Sequence, residues 1–119
     1  MDAKQVLDLT ALDMIRSLQQ PGTEDLVSKI VAMFLEDSER YRGEISQAVE
    51  DSDACRLGAA AHSLKSCAAN VGAMQVSAVA SRLEAMGRNR ALSTADRLFR
   101  ELESALEAAR QPLLRQLDS

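Results

Sequence analysis

The chain has 119 residues, a formal net charge of −4, 46% apolar residues and only 3% aromatic ones. That is enough for one domain with its own core, expected to span residues 1–119. The acidic balance argues against nucleic acid as a partner, because such binders carry a basic patch. No apolar run reaches the length of a membrane span, and no signal-peptide pattern is seen.

One histidine and two cysteines do not make a structural zinc site. Cys55 and Cys67 fall on one predicted helix, roughly 18 Å apart along its axis, too far for a disulfide. Free thiols fit a reducing, cytoplasmic setting.

In chain order, residues 1–9 read as a lead-in. Thr10-Ala11-Leu12-Asp13 reads as a capping box, with Thr at the cap and a carboxylate three residues on. The short helix that follows should turn Leu12, Ile15 and Leu18 inward and end at Pro21-Gly22. Thr23 is placed to cap a long helix over residues 24–49, with Glu24 and Asp25 at its positive end. Its apolar stripe is Val27, Ile30, Phe34, Tyr41, Ile45 and Ala48. Asp37-Ser38 interrupts that stripe and marks a candidate break.

Asp51-Ser52-Asp53 reads as a turn and cap. The next helix covers residues 54–71 and closes at Gly72, which can take the left-handed conformation. A fourth segment from about Ala73 carries Val76, Val79, Ala80, Leu83 and Met86 inward and should end at Gly87, before the polar turn Arg88-Asn89-Arg90. Ser93-Thr94-Ala95-Asp96 reads as another cap. The last helix turns Leu98, Leu102, Ala105, Leu106 and Ala109 inward, and Pro112 should kink or end it. With no strand signal, the expectation is an all-α antiparallel four-helix bundle with a short N-terminal capping helix.

The informative stretch is residues 54–73, which holds His62, the single histidine of the chain. At about 100° per residue, Leu57, Ala60, Leu64, Cys67 and Val71 share an apolar face. His62 lies opposite, among Cys55, Gly58, Ala59, Lys65, Ser66 and Ala69. Its neighbours one turn away are small or cationic, so the ring is sterically open. An imidazole with an ordinary pKa near 6.5 is largely neutral at pH 7 and nucleophilic. Lys65, three residues on, lies on the same face and can offset the charge of an oxyanion on the ring.

Ala61-His62-Ser63-Leu64-Lys65, then Ala68-Ala69-Asn70-Val71-Gly72-Ala73, then Leu83-Glu84, resembles the signature of histidine phosphotransfer (HPt) domains. The likeness is strongest from Ala60 to Arg88 and extends more weakly from Leu9 to about Leu106. Ser66 and Cys67 stand where that family usually has Gly and often Ser. The resemblance implies a helical bundle that relays a phosphoryl group between receiver-domain aspartates through a phosphohistidine, in multistep two-component signalling. It makes His62 the phosphoacceptor and gives Lys65 the charge-offsetting role. The partners it implies are response-regulator receiver domains and a hybrid sensor histidine kinase. Mg2+ is then expected only in the receiver, with no cofactor of the chain's own and a monomeric state.

Gly58, Ala59, Ser66 and Ala69 would form the docking surface around the ring. The resemblance also lets Glu84 and Arg88 flank the histidine from the neighbouring helix, with Arg82 a weaker candidate. The residues alone read Glu84 and Arg88 more simply as an i,i+4 surface pair.

Other chemistries fit less well. No Gly-rich phosphate loop is present, so nothing points to ATP binding or to an enzyme. A kinase dimerisation helix typically has an acidic residue after its histidine, and here it is Ser63. Ser63 itself points about 100° away from His62, which leaves no hydrolase arrangement. The remaining alternative is a scaffold module that binds a receiver or kinase domain without being phosphorylated.

Overall fold

The computed structural model describes residue 8, residues 10–18 and residues 25–117. Five helices follow one another: α1 Thr10–Leu18, α2 Leu26–Glu50, α3 Ala54–Asn70, α4 Met74–Asn89 and α5 Ala95–Leu117. The described residues contain no strand. Helices α2 to α5 close a ring in which α2 touches α3 and α5, and α4 touches α3 and α5, while α1 packs on α2. The pairs Gly58/Gly87, His62/Glu84 and Lys65/Ser77 step backward along α4 as they step forward along α3. The two helices are therefore antiparallel, as the three-residue turn between them requires.

Helix α1 starts differently from the capping-box reading. Thr10 is already helical, and its N–H donates to Asp8 Oδ1 at 2.9 Å. Leu12 is fully buried and Ile15 packs against the core, but Leu18 is 77% exposed. Among the described residues, no apolar surface covers the last turn of α1.

Thr23 and Pro21-Gly22 lie outside the described residues. The cap of α2 is Asp25, whose carboxylate accepts from the Ser28 N–H at 3.2 Å. Helix α2 then runs unbroken for 25 residues. Ser38 does not interrupt it: the side chain is buried and its hydroxyl donates to the Leu35 carbonyl, so no polar group is left unpaired.

Asp53 caps α3 as expected, its carboxylate accepting from the Arg56 N–H. Val71 follows at the C-cap, and Gly72 takes φ +80. Gly72 is also required sterically, because an added Cβ would lie 1.7 Å from the Asp8 carbonyl oxygen. The Asp8 N–H donates to the Gly72 carbonyl, which ties the lead into α1 to this turn.

Gly87 does not terminate α4. It is buried inside the helix, which continues to Asn89 and ends on Arg90 in the left-handed conformation. Helix α5 begins at Ala95, two residues past Ser93, and passes through Pro112 to Leu117. The proline leaves the carbonyl of Ala108 without its helical donor. Ala108 is exposed, so water can satisfy that carbonyl. Leu113 is fully buried and Leu117 packs on the core, which holds the final turns in place.

The core is aliphatic and is drawn from all five helices, including Leu12, Val31, Ile45, Leu57, Leu64, Val76, Leu83 and Leu102. Ala61 and Ala68, off the predicted stripe of α3, are buried, whereas Cys67 is half-buried. Helix α3 thus buries a wider arc than expected, because it lies between α2 and α4.

Candidate functional site

Helix α3 carries His62 on its free side, with 61% of the side chain exposed. The phase is fixed by Leu57 and Leu64, both fully buried, which leaves position 62 pointing outward. Helix α4 supplies the rest of the site. Its inner residues Ala80 and Leu83 are buried against the core, and that registration brings Glu84 to the edge facing α3.

Glu84 is the centre of the arrangement. Its residue is only 8% exposed, unlike an ordinary surface i,i+4 partner. His62 Nδ1 lies 2.8 Å from Glu84 Oε2, and Lys65 Nζ donates to Oε1 at 2.6 Å. Arg88 donates to Oε2 at 3.1 Å from one turn further along α4. The lysine hydrogen bond holds the Glu84 carboxyl below its usual range against the opposing effect of burial, and the His62 contact acts in the same direction. An ionised carboxylate can only accept, so Nδ1 carries the proton and donates. The Nε2 lone pair is then left toward solvent.

The remaining expected residues sort by exposure. Ala59, Ser66 and Ala69 are exposed around the ring. Gly58 is half-buried, with ordinary contact distances to the α4 backbone at Glu84, Gly87 and Arg88. It is therefore part of the floor of the site more than part of its rim. A shallow depression beside the ring is lined by Cys55, Gly58, Ala59, His62, Glu84 and Arg88, among others. Arg82 is turned away and donates to Glu101 of α5 at 3.3 Å, so it leaves the site.

Two contributors escape a reading of the sequence. Ser77 is buried and its hydroxyl donates to the Lys65 carbonyl at 3.1 Å, pinning α3 to α4 below the lysine. The sequence gives little signal for it, since α4 carries a second serine, Ser81, which is exposed. Gly87, whose glycine suggests a helix end, instead lies against Gly58.

A second surface adjoins the first. Past Ala69, a cleft is lined by Ala11, Met14, Ile30, Met33, Phe34 and Asn70, among others. Met14 and Met33 are 62% and 56% exposed. An apolar patch of this kind, continuous with the histidine face, has the character of an interaction surface. Among the described residues, no group of three or more His, Cys, Asp and Glu could hold a metal ion, and no helix is long and apolar enough to cross a membrane.

The fold and site define a helical bundle that presents one imidazole, tied through Nδ1 to a buried carboxylate. The family model of the Hpt domain matches residues 29–112, and the chain belongs to that family. Histidine-containing phosphotransfer protein 2 of Arabidopsis thaliana is 31% identical over 65 residues, 52% of this chain. The match spans 42% of that relative's length. The crystal structure of histidine-containing phosphotransfer protein B (HptB) from Pseudomonas aeruginosa PAO1 superposes with a TM-score of 0.87. It has 25% sequence identity, with 95% of each chain covered.

Proposed function

We propose that this chain is a phosphoryl carrier in a multistep two-component relay, with His62 as the phosphoacceptor. The observation that carries the reading is the contact of Glu84 with both His62 Nδ1 and Lys65 Nζ. In the forward step, Nε2 attacks the phosphorus of a receiver's aspartyl phosphate. The N–P bond forms as the P–O bond to the aspartate breaks, and the aspartate leaves as a carboxylate. The proton on Nδ1 stays where it is, so the phosphorylated ring bears a positive charge that Glu84 offsets. Lys65, on the same face, is within reach to balance the phosphoryl oxygens. The reverse step passes the group to a second receiver.

The chain then acts as substrate and intermediate, with magnesium belonging to the receiver. The docking surface includes Ala59, Ser66 and Ala69 around the ring and extends over the cleft at Met14 and Met33. A monomer acting in the cytoplasm, with a hybrid sensor kinase upstream, completes the proposal.

The test is incubation with a phosphorylated receiver. Wild type should acquire acid-labile, base-stable label, and His62→Gln should acquire none while keeping its helical circular dichroism. Label on His62→Gln, or a wild type that binds the receiver without being labelled, would rule the carrier out. The second outcome would leave a scaffold.

A further inference from the structure

The site spans two helices, so its geometry depends on how far apart they stand, and one point of contact sets that distance. An added Cβ at Gly87 would lie 2.6 Å from the Gly58 nitrogen, 2.7 Å from the Ala54 carbonyl oxygen and 2.8 Å from the Gly58 Cα. All three are backbone atoms of α3, which cannot turn aside as a side-chain tip can. The reverse substitution differs: a Cβ at Gly58 meets α4 only at 3.9 Å. Close approach therefore depends on the glycine at position 87, while position 58 tolerates a methyl group.

Gly87 sits on α4 one turn after Glu84, so a displacement of this part of α4 carries Glu84 with it. The affected contacts are short, 2.8 Å to His62 and 2.6 Å to Lys65, and separating the helices until that Cβ reaches the ordinary contact range above 3.4 Å lengthens and weakens them. We infer that Gly87 is a positioning residue: by letting α4 touch the α3 backbone it sets the reach of Glu84, and so holds His62 with its proton on Nδ1. The consequence for transfer rests on the carrier reading above; the consequence for the tautomer does not.

His62 is the chain's single histidine, so its ring nitrogens can be read by 15N NMR with no assignment ambiguity. Wild type and Gly43→Ala should both report a dominant Nδ1–H tautomer at a pH where the ring is neutral. Gly87→Ala should shift the population toward Nε2–H and, on the carrier reading, slow phosphoryl acceptance by about tenfold or more. Gly43 lies on the exposed side of α2 with nothing within 4 Å of an added Cβ. Gly43→Ala should raise Tm and serves as a stabilised background for Gly87→Ala. A folded Gly87→Ala protein that keeps wild-type nitrogen shifts overturns the inference. So does failure to fold even in the Gly43→Ala background, since that makes Gly87 a packing residue only. Normal tautomer changes with no labelling of wild type would retain the positioning role and reject the carrier.

Discussion

Glu84 Oε2 and His62 Nδ1 meet at 2.8 Å although 22 residues separate them in the chain. The carboxylate that makes this contact also receives Lys65 at 2.6 Å and Arg88 at 3.1 Å. One buried acidic group thus orients the imidazole and gathers two cations beside it.

Lys65 and Leu64 are neighbours with different roles. Leu64 is fully buried, and Leu64→Ala should cost about 2–5 kcal/mol. The Lys65 side chain is one-third exposed and pairs with the nearly buried Glu84. Lys65→Ala should cost about 1 kcal/mol, more than an ordinary surface change because it removes a charged partner from Glu84, with solvent screening limiting the loss. It should also slow phosphoryl acceptance, which Leu64→Ala should not do below its melting range. Urea melts and labelling rates on both variants check this. Equal destabilisation would mean that Lys65 belongs to the core.

The acid limb of stability should report Glu84. Its carboxyl sits below the ordinary value of 4.5, chiefly because Lys65 donates to it. The stabilisation is present above that ordinary value and is lost as pH falls through the lower folded value. Urea midpoints measured below pH 4.5 should therefore drop less steeply in Glu84→Gln than in wild type. At neutral pH the same variant should accept phosphate about tenfold more slowly, about 1.4 kcal/mol of lost charge compensation. An unchanged acid slope would show that the Glu84 pairing contributes nothing to folding.

Ser66 borders the ring one turn after His62 and is exposed. Ser66→Gly should keep transfer within a few-fold and lower helix stability by roughly 0.5–1 kcal/mol. Ser66→Gln should leave the fold intact and strongly impair transfer, because its long side chain occupies the space a docked receiver needs. Rates for the three folded proteins with one receiver decide the matter. A Gln variant as fast as wild type would mean that openness around the ring does not admit the partner.

Met33 tests how far the docking surface reaches. It is 56% exposed in the cleft beyond Ala69. Met33→Glu should change stability by no more than about 0.5 kcal/mol. It should weaken receiver binding in a titration while leaving the His62 nitrogen shifts alone. Unchanged affinity would confine docking to the immediate surroundings of the ring.

Much of this protein was legible before its structure. Local periodicity determined the helical class, the placement of α3 and the outward direction of His62. Leu57 and Leu64 can both face a core only if position 62 does not. Asp53 and Gly72 bounded that helix because capping and left-handed backbone are local properties of a few residues. Local rules failed where neighbours supplied what they left out. Buried Ser38 found its acceptor within its own helix, and α5 passed Pro112 because Leu113 and Leu117 anchor the turns beyond it.

The composition of the site was decided in three dimensions. Glu84 reads in sequence as a surface partner of Arg88, because i,i+4 spacing is visible along one helix and the approach of another helix is not. Gly87 reads as a helix end for the same reason: its use is a contact with Gly58, far away in the chain. The sequence by itself determined which residue carries the imidazole. The packing of α3 on α4 decided which nitrogen of it is free, because only that packing places a carboxylate within 2.8 Å of the other.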